Sequence, residues 1–193
     1  DNIKMFVRTK LGWIKKQQEK FEKQPRQSER EYVSGETLYV FGQQYFLRVE
    51  YSYKGNSLVL SGNEAILTVR KESTASQREA FVNEWYRTLL KEKIEIYLPK
   101  WENITGLHCD SWQTKYMTTR WGTCNTKTRK IWLNLQLAKK PIECLEYVIL
   151  HELAHLKVRN HSKDFVAIMD QYMPYWRETK KLLNDLKLDY MEE

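Results

Sequence analysis

No run of about 18 consecutive apolar residues occurs in this 193-residue chain, which excludes a helix able to span a membrane. Cysteine is scarce. Cys109, Cys124 and Cys144 form no CxxC pair, and an odd count leaves one unpaired in any scheme, which points to buried thiols in a reducing, cytoplasmic compartment. There are no internal repeats and no low-complexity stretches, and the length suits one medium-sized unit with a core of its own. The opening Asp1-Asn2-Ile3 has neither an initiator methionine nor the features of a signal peptide, and is expected to be the first ordered residue of a longer protein. Acidic side chains are missing from one long stretch, Ser111 to Ile142, which holds Lys115, Arg120, Lys127, Arg129, Lys130, Lys139 and Lys140 in a chain of net charge +7. Histidine is rare as well: there are four, and three of them fall within eleven residues.

Those three carry the chemistry. His151-Glu152-Leu153-Ala154-His155 places two imidazoles at i and i+4, one turn apart on one helix face, a spacing that suits a single metal ion. Glu152 lies about 60° and 100° round the helix from the two histidines, where its carboxylate can deprotonate a water activated by the metal. The surrounding Tyr147, Val148, Ile149, Leu150, Leu153, Ala154 and Leu156 make this helix apolar nearly all round, so it is expected to be buried. Three polar residues on a buried helix are costly unless something satisfies them, and a metal ion does. The plainer reading is two core histidines bonded to carbonyls, with Glu152 paired to an arginine.

His161 fits as a third ligand only if the helix stops. On an unbroken helix it would point roughly 120° away from His155 and lie about 9 Å further along the axis. Lys157-Val158-Arg159-Asn160 reads as the stop: its cations suit the last turn's carbonyls, and Asn160 tolerates a left-handed conformation. Ser162 is then expected to cap a new helix with Asp164 in its first turn. Three protein ligands leave one tetrahedral position open, the arrangement of a catalytic zinc.

The rest of the chain reads as α, β-rich, α, β, α. Phe6, Trp13, Ile14 and Phe21 predict an amphipathic helix over about 3–23. Thr37–Phe41, Tyr45–Val49 and Ser57–Leu60 read as strands of a small antiparallel sheet, punctuated by Gly42-Gln43-Gln44, Lys54-Gly55-Asn56 and Gly62-Asn63. Phe81, Trp85 and Leu89 predict a helix from about Ala75 to Leu98, ended by Pro99. Strands return between Leu107 and Leu135 with a turn at 125–130. Pro141 opens the metal helix as its first residue, and a last helix spans about 175–188.

Taken together, Tyr147–His161 (YVILHELAHLKVRNH) with Ser162-Lys163-Asp164-Phe165 resembles the YgjP-like metallopeptidases, relatives of the SprT group of zincins. Arg120-Trp121-Gly122-Thr123-Cys124 resembles their RWGSC block, and Ile131-Trp132-Leu133-Asn134 and Pro141 lead into the metal helix as they do there. Gly35–Val49, Trp85-Tyr86-Arg87 and Trp13-Ile14-Lys15-Lys16 extend the resemblance over most of the chain. It implies an α+β fold: a zincin-like core over 73–193, preceded by an N-terminal helix and β-rich region over 1–72, forming a single unit. It also implies one zinc ion on His151, His155 and His161 with Glu152 as catalytic carboxylate. The histidine spacing equals that of metzincins, but Val158 stands where they carry a glycine, which argues against membership. Met173 invites a reading as the methionine beneath the metal; a methionine filling a core gap is the commoner case.

The same resemblance makes Thr118–Cys124, and Trp121, Gly122 and Thr123 within it, the candidate edge strand for pairing with an extended peptide. Gly122 would let another backbone approach; an ordinary strand with a bulge is the alternative. Tyr172, Tyr175 and Arg120 are candidates to stabilise developing negative charge, and each is equally readable as packing or surface. His108 has no spaced partner and reads as structural.

The expected function is a zinc metalloendopeptidase acting on a peptide or protein substrate, with Glu152 as general base. The acid-free block, with Trp112, Tyr116, Trp121 and Trp132, would attract acidic peptides or nucleic acid, or form an ordinary solvated face over core aromatics. The alternatives are a non-catalytic module that zinc only fastens, binding nucleic acid or a protein partner, and a SprT-type protease acting on DNA-bound proteins.

Overall fold

Alternation of buried and exposed side chains defines a first sheet made of β1 (Thr37–Val40), β2 (Gln43–Tyr51), β3 (Ser57–Ser61) and β4 (Glu64–Val69). The computed structural model describes residues 10–12, 15 and 30–185, and Arg30–Leu186 form one compact unit. The expected helix over 3–23 lies outside the described residues apart from 10–12 and 15, which are helical. The sheet order is β1-β2-β4-β3, and β2 pairs with β4 in parallel. The β1–β2 and β3–β4 pairings are antiparallel as expected, so the sheet is mixed and the parallel pairing corrects the expectation of a purely antiparallel one. Ala65, Leu67 and Val69 on β4 are fully buried, whereas β3 alternates with exposed Ser57, Val59 and Ser61. The most apolar strand takes the interior slot and β3 the edge.

The long helix α1 (Ala75–Thr105) follows, opened by a capping box between Thr74 and Gln77. It does not end at Pro99, which lies inside it on the exposed side. Glu95's carbonyl, deprived of its partner there, can meet water, while Leu98 and Trp101 stay anchored in the core. The buried stripe is Val82, Tyr86, Leu90, Ile94 and Leu98; Phe81, Trp85 and Leu89 flank it half-buried. The helix ends at Gly106 in the left-handed conformation.

A second sheet, in the order β5-β7-β6, consists of β5 (Ser111–Lys115), β6 (Gly122–Asn125) and β7 (Lys130–Asn134). The turn at 126–129 joins β6 to β7 as expected. A 3-10 turn (Leu135–Lys139) leads to α2 (Ile142–His155), with Pro141 as the cap just before it; α3 (Lys163–Tyr172) and α4 (Trp176–Asp185) complete the described chain. No described helix is long and apolar enough to cross a membrane.

Three links fix α2 in place. The β1–β2 hairpin turns on Phe41 and Gly42, both with positive φ, and a β-carbon on Gly42 would stand 2.9 Å from Pro141 Cγ. Phe41 N–H donates to Ala138 O at 2.9 Å. From α1, Lys100 Nζ and Trp101 Nε1 both donate to Glu146 Oε2, at 2.6 and 2.9 Å. Helix α2 is thus clamped by both earlier elements.

Candidate metal centre

The last turns of α2 carry the histidines and the next two segments complete the group. After His155 the helix closes with short-range bonds: Leu156 N–H to Leu153 O, and Lys157 and Val158 N–H to Ala154 O. Leu156 keeps right-handed geometry. Asn160 is not left-handed either, since Tyr32, Phe41 and Arg129 are the non-glycine residues with positive φ among those described. The stop is a tightened last turn. Ser162 stands at the α3 cap position with Asp164 in the first turn, but its hydroxyl makes no capping bond; its main-chain carbonyl accepts from Val166 at 3.0 Å.

The result brings His151, His155 and His161 together, with ligand nitrogens all within 4.8 Å of one another. His161 Nε2 faces His151 Nε2 at 3.1 Å. A tetrahedral ion with zinc–nitrogen bonds of about 2.0–2.1 Å holds its nitrogens about 3.3 Å apart, so this spacing suits one. His155 Nδ1 lies 3.1 Å from Val158 O, and because a carbonyl can only accept, Nδ1 carries the proton and Nε2 keeps its lone pair. His151 Nδ1 is the one buried side-chain polar atom without a partner among the described residues. Burial, then repulsion from His155, His161 and Lys180, pushes His151 down to about 3. Burial, His155 and Lys180 lower His161 as well. Neutral imidazoles with lone pairs turned inward are a donor set for zinc.

Phe165, buried on α3, lies under all three rings, with centroid distances of 4.9, 4.8 and 4.8 Å to His151, His155 and His161. Met173 is buried in the core, as a gap-filling methionine would be. An α3 aromatic four residues past the third histidine was in the sequence block, but nothing in its spacing announced this contact.

Glu152 is 4% exposed and shares the cleft with the histidines. Burial pushes its carboxyl up to about 8, against the pull of Arg120. Gly122 makes room for it: a β-carbon there would lie 2.6 Å from Glu152 Oε1 and 2.8 Å from Val148 Cγ1. The cleft, about 760 Å³, is lined by Arg120, Trp121, Gly122, Thr123 and Cys124 on one wall and by Lys180, Leu183 and Asn184 of α4 on another. β6 is an edge of its sheet, paired on one side with β7. Asn134 holds the approach to β6. Its Nδ2 donates to Met117 O and Arg120 O at 2.8 and 2.7 Å, and its main-chain N–H donates to Trp121 O at 2.9 Å.

Tyr172 and Tyr175 are not among the cleft-lining residues, and Tyr175 is 56% exposed. Tyr147, which the sequence suggested only as core, does line it, stacked on Trp176 at 6.4 Å and pushed up to about 12 by burial and Glu152. Lys180 and Asn184 lie about thirty residues from the motif and had no signal there. His108 is exposed beside Glu102, 3.8 Å away. The acid-free block is no single wall: Arg129 pairs with Asp110, while Lys139 and Lys140 lie over the rings of Tyr86 and Trp121. Trp112, Tyr116 and Trp121 pack half-buried on the core.

The model of the family described as YgjP-like, metallopeptidase domain, matches residues 1–186. No curated protein matches the chain. Among solved structures, the chain is similar to the metallopeptidase zymogen of Pyrococcus abyssi abylysin, at 21% identity over 51% of this chain and 99% of that one, with a TM-score of 0.45. The metallopeptidase zymogen of Methanocaldococcus jannaschii jannalysin is similar at 23% identity over 47% and 92%, with a TM-score of 0.43.

Proposed function

The chain belongs to the YgjP-like metallopeptidase family, and we propose that it is an endopeptidase in which one zinc ion is held by His151, His155 and His161 and Glu152 acts as general base. The observation that carries this reading is the convergence of three imidazoles beside a buried carboxylate in one cleft. Zinc bound there supplies Lewis-acid polarisation of water and of the scissile carbonyl.

The chain's own residues do the rest. Glu152 takes the proton from the attacking water and passes it to the leaving amine, work that contributes about 10²–10⁴-fold. Arg120 lies near enough to favour the carboxylate form of Glu152 and to meet negative charge developing on the carbonyl oxygen. Tyr172 and Tyr175 have no part in this reading, being outside the cleft lining. The unpaired edge of β6, over Gly122 and Thr123, accepts an extended substrate by main-chain pairing, which needs little side-chain preference.

The test is Glu152→Gln. Zinc content measured by atomic absorption is expected to stay at one per chain, while cleavage of casein falls at least about a hundredfold. Undiminished cleavage removes Glu152 from the chemistry.

A further inference from the structure

Four arginines elsewhere on the described surface hold carboxylates: Arg48 with Glu50 and Glu64, Arg87 with Glu84, Arg129 with Asp110, Arg177 with Asp170. Arg30 and Arg78 donate instead to the main-chain carbonyls of Thr37 and Tyr32. The cleft gathers cations bonded to neither a carboxylate nor a carbonyl among the described residues. Arg120, Arg159 and Lys180 line it, and none of the three has an ion-pair partner among the described residues. Glu152 is the one acidic residue among those lining the cleft, and it is buried against Gly122.

The three cations come from different elements: Arg120 from the loop tied down by Asn134, Arg159 from the turn between α2 and His161, Lys180 from α4. Lys180 stands over Trp176, 5.7 Å from the ring centroid, and lines the same cleft as the three imidazoles. Like charges gathered around a cavity raise its potential and are relieved by a ligand of opposite sign. A divalent cation on the histidines adds to that field.

We propose that the cleft selects acidic peptides, with Arg159 and Lys180 receiving substrate carboxylates beside the bond to be cleaved. This rests on the hydrolytic reading of the same cleft and adds the substrate class. Peptide carboxylate fits better than nucleic acid. The cations are single and spread round a reaction centre, not aligned along a backbone track, and the tryptophan lining the cleft, Trp121, has Lys140 over its ring.

The experiment uses the zinc-loaded full chain carrying Glu152→Gln, and fluorescein-labelled peptides of one length with amidated ends. One is rich in Asp and Glu, one has Asn and Gln in their place, and one has Lys. The acidic peptide is expected to bind about tenfold more tightly than the amide version, with the difference shrinking as salt rises. Lys180→Glu and Arg159→Glu are each expected to lose about fivefold of that affinity, with zinc content unchanged. A neutral peptide with a free C-terminus is the second arm: binding as tight as the acidic peptide identifies the terminal carboxylate as the recognised group.

Equal binding of acidic, amide and lysine peptides overturns the proposal. So does single-stranded DNA that binds more tightly than the acidic peptide and is lost in the same two variants. Turnover by the wild-type chain is measured alongside. Cleavage without charge preference overturns this proposal alone, whereas charge-selective binding without any cleavage overturns the hydrolytic reading.

Discussion

A β-carbon on Gly122 would stand 2.6 Å from Oε1 of Glu152, closer than atoms tolerate without one of them moving. Glu152 Cγ and Val148 Cγ1, at 2.8 Å each, block the alternative escape. Gly122→Ala is therefore expected to push the carboxylate out of place while leaving the histidines untouched. A displacement of about 1 Å at a reacting group costs on the order of 10²-fold in rate. Zinc content and kcat measured together check this; normal kcat with full zinc would show that the side chain finds room.

Phe165 packs against three imidazoles at once. Phe165→Ala removes a buried ring and is expected to cost about 3–5 kcal/mol of stability, read from urea unfolding of the metal-free protein. Because the same ring packs against all three imidazoles, zinc affinity measured by chelator competition should fall about 10–100-fold, the range seen when groups behind metal ligands are lost. Phe165→Leu should recover most of the stability and less of the affinity.

Asn134 is 2% exposed and satisfies the carbonyls of Met117 and Arg120 from one side-chain amide. Asn134→Leu leaves both without that donor and is expected to destabilise the chain by about 2–3 kcal/mol. The loop carrying Arg120 loses its anchor, so amide hydrogen exchange over residues 117–121 should accelerate. Unchanged exchange there would mean that β6 alone holds the loop.

Burial pushes the thiols of Cys109, Cys124 and Cys144 up from 9 to about 12, 11 and 11, with nearby Glu102, Glu152 and Glu143 adding to the shift in each case. Each group binds its proton more tightly folded than unfolded. Their stabilising contribution is thus complete below pH 9 and is lost as pH rises through 11–12. The urea midpoint should hold steady to about pH 9 and then fall, and iodoacetamide should label the native protein slowly at pH 8. A midpoint that rises between pH 9 and 11 contradicts the sign.

Much of the centre was legible without coordinates because its parts are local. The i, i+4 spacing of His151 and His155 is a property of helix geometry, and the need for a stop before His161 follows from the same 100° step. The nature of the stop differs from what its residue types suggest. Asn160 is the residue type for a left-handed turn, but the chain closes the helix with bonds to Leu153 and Ala154 and has no use for that conformation. Pro99 misled for a related reason: its cost in a helix depends on whether the orphaned carbonyl meets water, and exposure is not written in the local sequence.

What the amino-acid sequence determined by itself was the spacing of the three histidines, the carboxylate between the first two and the buried character of their helix, since each is set by neighbours within a few turns. The pairing of β2 with β4, the ring of Phe165 against the imidazoles, the fit of Gly122 against Glu152 and the arrival of Lys180 in the histidines' cleft were decided by tertiary packing. Those contacts join residues tens of positions apart. Which distant surfaces meet depends on how the whole apolar core closes, a global choice that no single stretch of sequence encodes.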